Sequence, residues 1–77
     1  MNNVVLYSAS NCPLCEKYRA LLAEKGVAYT ERNTTERPEL LDELAAQGIR
    51  MVPTIFVDEK IVAGFRPNSL LELLNAA

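Results

Sequence analysis

The chain holds two cysteines, Cys12 and Cys15, and both lie in the four-residue window Cys12-Pro13-Leu14-Cys15. Thiols at that spacing can share a metal, form a structural staple, pack as small hydrophobes, or work as a dithiol. A zinc site needs about four ligands, and the sequence has no histidine to complete one. Carboxylates would have to fill in, or a second chain would have to share the metal or iron-sulfur cluster through Cys12. A working dithiol needs one thiol that is acidic and exposed and a second within reach of it. The elements around the window decide between these readings.

Across 77 residues there is room for one small domain, residues 1–77. Apolar residues make up 49% and charged residues 23%, the balance of a globular chain that can form a core. The net charge of −2 argues against a nucleic-acid binder, which usually carries a basic excess. No apolar run approaches the roughly 18 residues of a membrane span. Met1-Asn2-Asn3 lacks the basic start of a signal peptide, and Val4-Val5-Leu6 is too short for its apolar part. The expectation is a cytoplasmic protein. There a close cysteine pair is more often redox-active or metal-binding than structural.

Val4 to Tyr7, ending at Ser8, reads as a buried strand. Leu14, Tyr18, Leu21 and Leu22 follow at helical spacing, and Gly26 supplies a stop, so the first helix is predicted from about Pro13 to Lys25. Val27, Tyr29 and Glu31 alternate as a second, weaker strand. Thr35 is the expected cap of the next helix, with Pro38 in its first turn, Leu40, Leu41, Leu44 and Ala45 as its apolar face, and Gly48 as its end. Thr54 to Val57 and Ile61 to Ala63 read as two strands joined by the tight turn Asp58-Glu59-Lys60. A last helix opens at Pro67-Asn68-Ser69 and carries Leu70, Leu71, Leu73 and Leu74. Ser69 and Glu72 have capping-box spacing, which allows a start two residues later. The order is β-α-β-α-β-β-α, with a parallel front pair and an antiparallel hairpin behind it.

In this frame Cys12 sits at the mouth of the first helix and Pro13 at its first position. A helix N-terminus carries about half a positive charge, which stabilises a thiolate and lowers its pKa. Cys15 lies three residues on, on the same face. Cys12 is then the attacking thiol and Cys15 the resolving one. C-x-x-C beside a β-α-β pattern has the context of a thioredoxin-like redox motif.

"YSASNCPLC" after a short strand, "MVPTIFVD" further on and "AGFRPNSL" near the end together resemble the glutaredoxins and the related NrdH-redoxins, over essentially the whole chain. The resemblance implies an α/β thioredoxin fold. Its four-stranded mixed sheet runs in the order second, first, third, fourth strand, with the first and third helices on one face and the second on the other. It also implies a cis Val52-Pro53 bond facing Cys12, with the Val52 backbone turned outward to pair with an extended substrate. Pro13, Leu14, Val52, Pro53, Gly64, Phe65 and Arg66 are the expected substrate-binding residues. The implied activity is thiol-disulfide exchange through Cys12 and Cys15, with no cofactor beyond that redox-active pair and no resident metal.

Within the resemblance, the chain departs from typical glutaredoxins. Ala9 stands where they carry lysine, Leu14 where they carry an aromatic residue, and Met51 where they carry threonine. Ala63-Gly64-Phe65-Arg66 stands in place of a Gly-Gly-x-Asp turn. "AQGIR" at 46–50 and "GFRPN" at 64–68 resemble the NrdH-redoxins instead, although their terminal acid and their tryptophan-serine are missing. The expected partners are a disulfide-containing protein and an electron donor, either a thioredoxin-reductase-type enzyme or glutathione, acting on a monomer. Phe65 and Arg66 are read either as a turn covering the sheet or as a docking point. Arg50 is read either as a solvated charge or as a neighbour of Cys12. The other function classes are a metal or iron-sulfur dimer through Cys12, and a redox-silent binding module of the same fold.

Overall fold

A computed structural model describes residues 3–75. The elements are β1 (Val4–Ser8), α1 (Pro13–Glu24), β2 (Thr30–Asn33), α2 (Glu39–Ala45), β3 (Thr54–Val57), β4 (Lys60–Ala63) and α3 (Pro67–Asn75). The sheet order is β2-β1-β3-β4. β1 and β2 run parallel, and the other two pairings are antiparallel. This is the thioredoxin fold that the resemblance implied.

Alternation along β1 sorts the core into two layers. Val4 and Leu6 pack with Ile55 and Val57 of β3, Tyr18 and Leu22 of α1, and Leu70 of α3. Val5 and Tyr7 point to the other face, where Leu40 and Leu44 of α2 and Ile49 close over them. The central strand is covered on both sides, which is why its sequence is a continuous apolar run.

The second strand differs from its expected place. Val27 lies just past α1 and closes its C-terminus rather than starting a strand. Its N–H donates to the Leu22 carbonyl at 2.9 Å, and the Gly26 N–H donates to Ala23 at 3.1 Å. This is a Schellman closure, and Gly26 takes the left-handed conformation it requires (φ +66). Val27 and Tyr29 pack on the core from a loop. The strand forms from Thr30-Glu31-Arg32-Asn33, in register with Val5 to Ser8. Those residues are polar and half-exposed, so no apolar alternation marks them.

Two capping expectations also change. Pro38 precedes α2 without any side-chain cap. The Asn33 side chain instead accepts from the N–H groups of Thr35 (2.8 Å) and Glu36 (3.2 Å), while the Thr35 hydroxyl accepts from the Ser10 N–H at 3.0 Å. An Asx turn at Asn33 thus shapes the loop before α2, and Thr35 does not cap that helix. α3 begins at Pro67, and the Arg66 carbonyl accepts its first bond, from the Leu70 N–H at 3.0 Å. The later start at Ser69 is not used.

Candidate functional site

The pairing of Tyr7 with Thr54 fixes where chemistry can occur. It brings the loop after β1, which carries Cys12, and the loop before β3, which carries Pro53, to the same end of the sheet. The turn after β4 joins them, because the Gly64 N–H donates to the Pro53 carbonyl at 2.8 Å. Sequence-distant segments thus meet at one pole.

The first segment is tied down before it reaches the cysteines. Ser8 is fully buried, and its carbonyl accepts from both the backbone N–H (2.7 Å) and the hydroxyl (2.8 Å) of Thr34. Asn11 adopts φ +55, a left-handed conformation that asparagine tolerates better than most residues. It turns the chain so that Cys12 becomes the N-cap of α1, with extended backbone and Pro13 as the first helical residue. The Cys12 sulfur accepts a hydrogen bond from the Cys15 N–H at 3.2 Å. Its carbonyl accepts from Glu16 at 3.1 Å. A helix-end amide aimed at sulfur is what stabilises a thiolate. The Cα atoms of Cys12 and Cys15 are 5.2 Å apart, and the sulfurs lie within bonding distance as a disulfide. Cys15 is 0% exposed, Cys12 is half-buried and Pro13 is exposed. Leu14, at 42% exposure, stands out on the rim.

In the second segment Val52-Pro53 is cis, and Pro53 is fully buried. The buried Thr54 hydroxyl donates to the Met51 carbonyl at 2.8 Å and closes the loop on itself. Met51, 53% exposed, reaches across to the third segment. A Cβ placed on Gly64 would come within 3.1 Å of its sulfur, and Gly64 itself has φ +79. Met51, Ala63, Gly64, Phe65, Arg66 and Ser69 line an open groove of about 480 Å³ that continues along β4. Arg50 is exposed and borders a shallower groove of about 250 Å³ between α2 and Met51.

The third segment is held from inside by Tyr18, which the sequence marked only as part of the apolar helix face. Tyr18 is 0% exposed. Its hydroxyl donates to the Gly64 carbonyl at 2.8 Å and accepts from the Arg66 N–H at 2.8 Å. Its ring packs against Phe65 with centroids 4.7 Å apart. Burial pushes the phenol above the usual tyrosine range, and the Arg66 amide and charge pull it back in part. The signal was present in the sequence: a tyrosine on the most buried stripe of a helix must find a partner for its hydroxyl. Phe65 lies over the core with Leu73 and Leu74, so its ring covers the sheet while one side borders the groove.

On the far side of α1, Arg19 forks onto Glu31 of β2 at 2.6 to 2.9 Å, and the Ser8 hydroxyl donates to the same carboxylate at 2.6 Å. Arg19 holds the Glu31 carboxyl below the usual range against the opposing effect of burial, and Ser8 assists. Among the described residues no three histidine, cysteine, aspartate or glutamate side chains gather as a metal site. No helix among them is long and apolar enough to cross a membrane.

A capped, half-buried thiol paired with a buried one at the pole of a thioredoxin fold defines a dithiol redox protein. The glutaredoxin family model matches residues 4–62. The glutaredoxin-like protein NrdH of Lactococcus lactis subsp. cremoris is 36% identical over 70 residues, 91% of this chain and 97% of that one. Glutaredoxin 3 of Escherichia coli is 35% identical over 68 residues, 83% of this chain and 78% of that one. Among solved structures, the E. coli NrdH-redoxin, a glutaredoxin-like protein with a thioredoxin-like activity profile, superposes with a TM-score of 0.85 at 25% identity. The match covers 92% of this chain and 93% of that one. This chain belongs to the glutaredoxin family and is a thiol-disulfide oxidoreductase.

Proposed function

We propose that the protein is a monomeric cytoplasmic electron carrier that reduces protein disulfides and is itself recharged by a thioredoxin-reductase-type enzyme in preference to glutathione. Cys12 thiolate attacks a substrate disulfide, forming a mixed disulfide and releasing one substrate thiolate. Cys15 then attacks the Cys12 sulfur, the second substrate thiolate leaves, and the Cys12–Cys15 disulfide carries the two electrons' worth of oxidation. The capping bond from the Cys15 N–H to the Cys12 sulfur supports Cys12 as nucleophile. The complete burial of Cys15 supports it as the resolving thiol. The proposed binding rim is Pro13, Leu14, Val52, Gly64, Phe65 and Arg66, with Pro53 buried behind it.

The electron donor is read from charge, and Arg66 carries that reading. Among the described residues lining the main groove, Arg66 alone is charged, and it is a cation. Glutathione offers one ammonium and two carboxylates, so it asks for an acid as well as a cation. The groove lining contains no acid, position 9 is alanine rather than a cation, and Leu14 gives an aliphatic wall. A charge-assisted hydrogen bond is worth about 1.5 to 3 kcal/mol, so lacking two weakens binding by a factor of about a hundred to ten thousand. A protein reductase docking on Leu14, Phe65 and Arg66 needs neither. The thioredoxin-like activity profile of the E. coli relative supports the same direction. The test compares initial rates of Cys12–Cys15 disulfide reduction by a bacterial thioredoxin reductase with NADPH and by glutathione with its reductase, at matched concentrations. Faster reduction by the flavoprotein is expected. Rapid reduction by glutathione with none by the flavoprotein would overturn the reading.

A further inference from the structure

We infer that Tyr18 is a positioning residue for partner docking, acting through its hydroxyl on the Gly64–Arg66 turn. This rests on the proposal that the electron donor engages that turn. The hydroxyl makes two bonds of 2.8 Å, one to the carbonyl before Phe65 and one to the amide after it. It therefore fixes the backbone on both sides of the residue whose ring it also packs. The Gly64 N–H on the Pro53 carbonyl, the Phe65 ring on the core and the Arg66 carbonyl at the start of α3 also hold this turn, but the Gly64 carbonyl and the Arg66 amide are bonded by the phenol. Gly64, at φ +79, has no side chain to anchor it, and the Arg66 side chain is exposed.

The same contact links two helices and the dithiol. Tyr18 is one turn beyond Cys15 on the buried face of α1. Arg66 is the residue whose carbonyl starts α3. The phenol thus sets the distance between the helix that carries the cysteines and the helix that begins beneath the groove. A partner that meets the rim of Cys12 and the turn together finds them in one fixed relation. The Arg66 amide, already bonded inward, is also withdrawn from any ligand in the groove.

Tyr18→Phe keeps the ring and removes only the hydroxyl. Loss of about 1 kcal/mol of docking order corresponds to about fivefold. The expected result is a KM for the electron donor raised about fivefold, with kcat and the rate of reduction by dithiothreitol within about twofold of wild type. Amide hydrogen exchange at Arg66 should rise at least about fivefold under native conditions, while that at Cys15 stays within about twofold. A merely structural role would move kcat, the dithiothreitol rate and both amides together. Both electron-donating systems are run on wild type and variant. The wild-type preference tests the proposed donor, and the variant-to-wild-type KM ratio with whichever donor turns over tests Tyr18. Should neither donor turn over, exchange at the Arg66 amide decides. An unchanged KM with the active donor, or unchanged Arg66 exchange, overturns the inference.

Discussion

Removing the Glu31 carboxylate should cost the fold more than a surface ion pair does. Exposed pairs contribute about 0.2 to 1 kcal/mol, and Arg19 and Glu31 are 31% and 27% exposed, so their attraction is discounted towards that range. The larger loss lies with Ser8. Its hydroxyl donates to Glu31 at 2.6 Å from a fully buried position, and a buried donor left without a partner costs about 1 to 3 kcal/mol. Glu31→Ala is therefore expected to destabilise by about 2 kcal/mol in urea titration. For a domain of this size that lowers Tm by roughly 8 to 16 °C. Glu31→Gln keeps a carbonyl acceptor for Ser8 and loses only the charge, and about 1 kcal/mol is expected. The pH profile gives an independent check. Arg19 depresses the Glu31 pKa in the fold, so its contribution is fully present above the unfolded value near 4.5 and is lost as pH falls through the depressed folded value. The stability gap between wild type and Glu31→Gln should be constant at neutral pH and shrink in that acid window. A Glu31→Ala cost below about 0.5 kcal/mol, or a gap that widens in acid, would refute the reasoning.

In the reduced protein, alkylation at neutral pH should label Cys12 well before Cys15, as read by peptide mass mapping, because Cys15 is sealed in the core. Cys12→Ser should abolish dithiol exchange, whereas Cys15→Ser should accumulate a mixed disulfide visible on a non-reducing gel. Preferential labelling of Cys15 would reverse the assignment. Gly26→Ala and Gly64→Ala both place a side chain at positive φ, at a cost of about 1 to 2 kcal/mol. Gly26 has open space around it, while Gly64 meets the Met51 sulfur. Gly64→Ala should therefore cost more in urea titration, and its excess should disappear in a Met51→Ala background; equal costs for the two glycines would remove the contact from consideration.

How far the sequence could be read depended on whether the signal was apolar. β1, α1, β3, β4 and α3 carry runs or stripes of apolar residues bounded by glycine, proline or a turn, and they lie within a residue or two of where those signals put them. β2 carries no such signal. Thr30 to Asn33 is a strand because β1 offers an open parallel edge and because Arg19 and Ser8 receive Glu31. The apolar Val27 and Tyr29 nearby serve the core from outside the sheet. The Asx turn at Asn33 and the use of Thr35 away from α2 escaped the sequence for a related reason. Both residues suit caps, and only the loop's tertiary position assigns one to the backbone of 35–36 and the other to Ser10. At the site, the placement of Cys12 at the helix mouth was legible from Pro13 and the helical spacing after it. That the Tyr18 hydroxyl needs a partner was legible from its buried place on α1, but which partners it takes was not, because they lie in a turn far along the chain.

The hairpin at the other pole has a practical consequence. Asn3 and Asp58 clasp each other there: the Asn3 N–H donates to the Asp58 carboxylate and the Asp58 N–H to the Asn3 carbonyl, both at 2.9 Å. Beyond the clasp, Glu59 is an exposed tip. Val57 and Lys60 pair at its base, and the length of β3 and β4, about 13 Å for four residues, separates it from the dithiol. Extra sequence spliced in at Asp58-Glu59 would leave through an already closed doorway, with the strands gripped behind it. That makes the tip a natural socket for a fluorescent reporter, an affinity handle or a second domain, giving a redox carrier that can be tethered to a surface or to a client with its working end facing outward.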